Sequence, residues 1–147
     1  MEATPEDHPD RAGRLSNLGI HLGRRYERTG NLEDLEAAIA RSVEAAESIP
    51  EGHPDRAMWL SNLGAQLSNQ YDRTGNMEDL EAAIARSVEA VEATPEDHPG
   101  RAGRLNNLGN HLISRYERTG NMEDLEAGIA RSQLQWKQHQ RITLTEH

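Results

Sequence analysis

A period of 45 residues constrains this chain more than any other feature. The stretch from Asn17-Leu18-Gly19 to Thr29-Gly30-Asn31 returns as Asn62-Leu63-Gly64 to Thr74-Gly75-Asn76, and again as Asn107-Leu108-Gly109 to Thr119-Gly120-Asn121. Residues 2–42 match 92–132 at 34 of 41 positions, and 2–46 match 47–91 at 32 of 45. A fixed period of this size marks one supersecondary unit copied in tandem, each copy burying its apolar face only against its neighbours. The chain therefore reads as three units, residues 1–48, 49–93 and 94–140. A tail at 141–147 is expected to fray.

Each unit encodes two helices. Prolines in Thr4-Pro5-Glu6-Asp7-His8-Pro9 forbid helix across the opening turn, and Pro9 suits the first helical position. Ala12, Leu15, Leu18, Leu22 and Tyr26 recur at spacings of three and four, one stripe of a helix from Pro9 to about Arg28. Gly19 interrupts that stripe and is expected to admit a close neighbouring helix. Gly30 predicts a left-handed stop and Asn31 an N-cap, with Glu33 and Asp34 in the first turn that follows. Leu32, Leu35, Ala38, Ile39, Val43 and Ala46 then form the stripe of a second helix ending near Ser48. The same reading places the other pairs at 54–73 with 77–93 and 99–118 with 122–138. After Ser132 the third unit departs into Gln133-Leu134-Gln135-Trp136-Lys137, which predicts a partly polar cap on the end of the array.

Composition narrows the function. The net charge of −9, from 25 acids against 16 bases, repels phosphate backbones and argues against nucleic acid as partner. There is no cysteine, so disulfides and thiolate chemistry are excluded. No apolar run approaches the ~18 residues of a membrane helix. Met1-Glu2-Ala3-Thr4-Pro5-Glu6 is acidic and polar, unlike a secretory signal, so a cytoplasmic location is the expectation. His8, His53 and His98 lie one period apart, too far to share a metal, and no HExxH pair, Gly-rich phosphate loop or G-x-S-x-G elbow occurs. Neither an enzyme nor a cofactor is expected. His8-Pro9-Asp10 and His53-Pro54-Asp55 spell the tripeptide with which J-domains stimulate a chaperone ATPase, but a proline-led helix start accounts for the string without that activity.

Leu15-x-x-Leu18-Gly19-x-x-Leu22, followed by Ala38, Ala45 and Pro50, resembles the tetratricopeptide repeat, whose pattern is W-x₂-L-G-x₂-Y…A-x₃-F…P. Leu15 stands where that family has Trp, Leu22 where it has Tyr, and Ser42 where it has Phe. The longer unit, with its RYERTG and DLEAAI strings, is similar to arrays in large fungal and actinobacterial proteins that join such repeats to nucleotide-binding or protease-like signalling domains. The resemblance implies an all-α, right-handed helical-hairpin solenoid of six antiparallel helices. It also implies a non-catalytic module that binds a protein or peptide segment in a concave groove lined by the first helices.

Differences between copies fall mainly on one face of the first helix. They occur at Gly13, Met58 and Gly103; at Ser16, Ser61 and Asn106; at Ile20, Ala65 and Asn110; at Gly23, Ser68 and Ile113; and at Arg24, Asn69 and Ser114. Asn17, Asn62 and Asn107 border this face, with amides able to hold an extended peptide backbone. Trp59, which replaces Arg14 and Arg104, is a candidate anchor if partly exposed. The exposed face of the second helix hardly varies, which favours a diversified groove over simple drift. The groove lacks the several basic residues with which relatives clamp acidic chaperone tails. Because the units are so alike, a homo-oligomer through the free repeat ends is the alternative to peptide binding. A passive spacer within a larger protein is a third reading.

Overall fold

The computed structural model describes residues 9–145. These form six helices: α1 (Pro9–Thr29), α2 (Leu32–Ser48), α3 (Arg56–Thr74), α4 (Met77–Glu92), α5 (Arg101–Thr119) and α6 (Met122–Thr145). No strand occurs among the described residues. Helices pack as the hairpins α1–α2, α3–α4 and α5–α6. Each hairpin then leans on the next through α2–α3 and α4–α5, while the first helices also touch one another, α1 with α3 and α3 with α5. This is the all-α hairpin array expected from the period.

The corner within each hairpin is built by three residues. Gly30, Gly75 and Gly120 adopt φ of 72°, 73° and 77°, and the amide of each donates to the carbonyl of the tyrosine four residues back, at 2.7 Å. Side chains are disfavoured at such angles, which is why glycine stands there. The Thr29 hydroxyl donates to the Arg25 carbonyl at 2.9 Å and accepts the Asn31 amide at 3.2 Å. Asn31 Oδ1 in turn accepts the Glu33 amide at 3.0 Å, the N-cap of α2, and Asn76 and Asn121 repeat the bond.

Gly19 and Gly64 set the spacing inside the hairpins. A Cβ on Gly64 would lie 2.7 Å from Ser87 Oγ and 3.3 Å from the Ala83 carbonyl oxygen, and Gly19 meets Ser42 and Ala38 in the same way. The helices cross too closely here for a large side chain. Ser42 and Ser87, buried at that crossing, therefore occupy the place where the wider family pattern has Phe.

Three expectations are corrected. α3 and α5 begin at Arg56 and Arg101, two residues after the prolines. The reason is the histidine: His53 Nδ1 accepts the Asp55 amide at 3.1 Å, and His98 Nδ1 accepts the Gly100 amide at 2.9 Å, which closes a turn before the helix starts. This bond gives the His-Pro pair of the second and third units a structural role; His8 lies outside the described residues. Helix α6 runs to Thr145, past the end expected near residue 138. From Ser132 to Thr145 there is neither glycine nor proline to stop it.

The third correction concerns Leu18. Leu63 and Leu108 are 3% and 1% exposed, yet Leu18 at the same place in the first unit is 46% exposed. Leu63 and Leu108 face the second helix of the preceding unit, at α2 and α4 respectively. Among the described residues no helix precedes α1, so Leu18 has nothing to pack on.

Candidate functional site

The first helices are held side by side by polar contacts between units. Gln66 Nε2 donates to the Gly19 carbonyl at 3.4 Å, and Asn107 Nδ2 donates to Ser61 Oγ at 3.4 Å. At the far end Arg73 donates to the Gly30 carbonyl at 2.9 Å and the Tyr26 hydroxyl at 3.3 Å. Arg118 repeats both bonds onto Gly75 and Tyr71, at 3.0 and 3.5 Å. α1, α3 and α5 thus make one continuous wall.

The candidate residues divide on this wall. Asn17, Arg24, Met58 and Asn110 are exposed. Gly13, Ile20, Ser61, Asn62, Ala65, Asn69, Asn106, Asn107 and Ser114 are half-buried, and the Asn107 amide already serves Ser61. Gly13 and Asn17 meet at a cleft of about 520 Å³ whose other walls include Ser48, Ile49, Pro50 and His53.

Three candidates are placed otherwise than expected. Trp59 also borders the cleft but is only 8% exposed: it packs on Ala12, Ala45 and Ile49 and stacks on His53 at 6.4 Å between ring centroids. An indole so covered is a joint between the first two units and is not a free anchor. Ser16 is 5% exposed, so its hydroxyl is not offered to a ligand on the wall. Ile113 lies against Gly128, where its Cγ1 is 2.7 Å from the position a Cβ would take. Its difference from Gly23 and Ser68 therefore answers a change in its own hairpin, since Gly128 replaces Ala38 and Ala83.

The constancy of the second helices also has a packing cause. Glu44 is paired with Arg11 of α1 at 3.5 Å as well as with Arg41, and Glu89 with Arg56 of α3 at 3.6 Å as well as with Arg86. These groups tie the hairpins together. Their recurrence is no measure of how fast an idle surface drifts.

One position escaped the sequence reading: His21, Gln66 and His111. Gln66 and His111 are buried between first helices, at 7% exposure each, and His111 Nε2 has no hydrogen-bond partner among the described residues. Burial pushes the His111 imidazole below its ordinary range, and the Asp72 carboxylate opposes this more weakly. The folded chain thus favours neutral His111. Its contribution is complete above the unfolded-state value near pH 6.5 and declines as pH falls, because the unfolded chain takes the proton first. Stability is expected to decline as pH falls through and below about 6.5, by no more than about 1.4 kcal/mol per pH unit for this one proton. His111→Gln, which copies Gln66, should flatten that part of the curve in urea titrations. An unchanged slope would assign the drop to other groups.

The described residues hold no group of three or more His, Asp or Glu placed to bind a metal, and none of their helices is long and apolar enough to cross a membrane. Repeated helical hairpins, stacked in register with their first helices forming one wall, define the class: a helical-repeat solenoid. Residues 56–100 match the family model described as tetratricopeptide repeat, a window of one full 45-residue period from the start of α3 to the turn before α5. The match to the tetratricopeptide repeat family covers the middle unit, and the flanking copies repeat that window's sequence and its hairpin. No curated protein matches the chain. Repeats of this family serve generally as non-catalytic modules of protein–protein interaction.

Proposed function

We propose that the chain binds an extended peptide or protein segment across the wall formed by α1, α3 and α5. The observation that carries this reading is the wall itself: three first helices in direct contact, with an asparagine at the same place on each. Asn17 and Asn62 present amides that can donate to and accept from a peptide backbone, while Ile20 and Ala65 offer small apolar contacts beside them. Asn69, Asn110 and Ser114 extend the polar surface, and Arg24 gives it a positive charge at the first unit. Such a surface suits a backbone-read, weakly charged segment better than an acidic tail.

The test is selection of a randomised peptide library displayed on phage against the wild-type chain. Selected peptides should bind Asn62→Arg/Ala65→Arg at least about tenfold more weakly, equivalent to about 1.4 kcal/mol. Glu81→Arg on the exposed face of α4 should leave them unaffected. Peptides that ignore the paired change on α3 yet respond to Glu81→Arg would move the binding surface to the second helices.

A further inference from the structure

The two ends of the array expose matching halves of an interface that the chain already contains twice. Inside the chain, α4 presents Ile84 and Val91, 7% and 6% exposed, to Leu105, Leu108 and Leu112 of α5. One period later on α6 the corresponding residues are Ile129 and Trp136, 48% and 62% exposed. They border a concavity of about 550 Å³ with Ser132, Gln133 and Lys137. The polar cap expected after Ser132 therefore leaves an apolar strip uncovered. One period before Leu63 stands Leu18, exposed, on a helix that keeps the leucines of α5 as Leu15, Leu18 and Leu22.

The polar clasp is split in the same way. Arg73 and Arg118 each reach back to the tyrosine hydroxyl and glycine carbonyl of the preceding unit. Among the described residues, no arginine does so for Tyr116 and Gly120. The unit-one counterpart of those arginines, Arg28, is exposed on α1.

We propose that α1 of a second copy docks on α6, reproducing the α4–α5 contact between chains. Leu18 then covers Ile129 and Trp136, and Arg28 donates to the Gly120 carbonyl and the Tyr116 hydroxyl. The contact is heterologous, so each addition exposes another free end, and association continues as an open series or closes as a ring. Each copy carries a net charge of −9 and repels the next, so salt should favour assembly by screening.

Sedimentation velocity across a broad concentration series tests this directly. The wild-type chain should grow beyond a dimer with concentration and with salt. Leu18→Arg and Ile129→Arg alter exposed side chains, so each should keep its helical circular dichroism while remaining monomeric alone. Mixed in equal amounts they should form a dimer and stop, because each variant retains the face the other lacks. Arg28→Ala should weaken association about tenfold. The proposal is overturned by a wild type that stays monomeric throughout. It is equally overturned if both variants assemble unaided or if their mixture stays monomeric.

Discussion

Gly64→Leu is expected to cost at least about 3 kcal/mol of stability, while Gly13→Ala is expected to add about 0.5–1 kcal/mol. Helix propensity favours both changes, since glycine is the poorer helix former. What separates them is the neighbouring helix. Nothing lies within 4 Å of a Cβ built on Gly13. On Gly64 the first added atom already falls 2.7 Å from Ser87 Oγ. The serine hydroxyl can turn away, but the Ala83 carbonyl at 3.3 Å belongs to the backbone of α4 and moves only with the helix. Leucine adds three further carbons to that space, so α3 and α4 must separate around Leu60 and Leu80, 1% and 0% exposed. The damage falls on the middle unit, which both other hairpins need as a neighbour. Urea unfolding and a melting temperature lowered by roughly 6–12 °C would register it. A Gly64→Leu chain within about 1 kcal/mol of wild type would show that the hairpin is not closely packed at this crossing.

The hairpins were legible in the sequence because their determinants are local. Gly30 and Asn31 end one helix and start the next through bonds spanning a few residues. The leucine stripes repeat at helical spacing whatever they pack on. Burial is another matter, since it depends on what lies across the interface. Leu18 and Leu63 have the same sequence on either side, Asn and Gly, yet only Leu63 has a helix to meet. Trp59 looked available because its counterparts are arginines. Its burial depends on Ala45 and Ile49 of α2, and Ile49 itself stands where the first unit has Thr4. The starts of α3 and α5 were displaced by a side chain, since proline pattern alone does not reveal that His53 or His98 will accept an amide two residues on. The candidate groove suffered most. Variation between copies was read as surface choice, but at Ile113 it tracks an interior change on the opposite helix. At Gln66 and His111 the variation marks contact between first helices, which the pattern along a single helix does not reveal.

Gly128→Ala decides between those two meanings of variation. In an unobstructed helix alanine would be the better residue by about 1 kcal/mol. Here its Cβ would lie 2.7 Å from Ile113 Cγ1 and 3.2 Å from the Gly109 carbonyl oxygen. We expect a net loss of about 1–2 kcal/mol, reversing the sign that propensity alone predicts. In the second unit the same two places hold Ala83 and Ser68, so Gly128→Ala combined with Ile113→Ser restores a pairing the chain already uses. The double variant should recover most of the loss. Ile113→Ser alone should also destabilise, because it leaves a void against Gly128. The double-mutant cycle should give a favourable coupling of at least about 1 kcal/mol from urea unfolding of the four chains. Coupling of that size makes Ile113 and Gly128 one packing unit and takes Ile113 out of the set that could select a peptide. Additivity would return Ile113 to the wall of α1, α3 and α5 as a free recognition position, and the third unit would then carry the largest apolar contact on that surface.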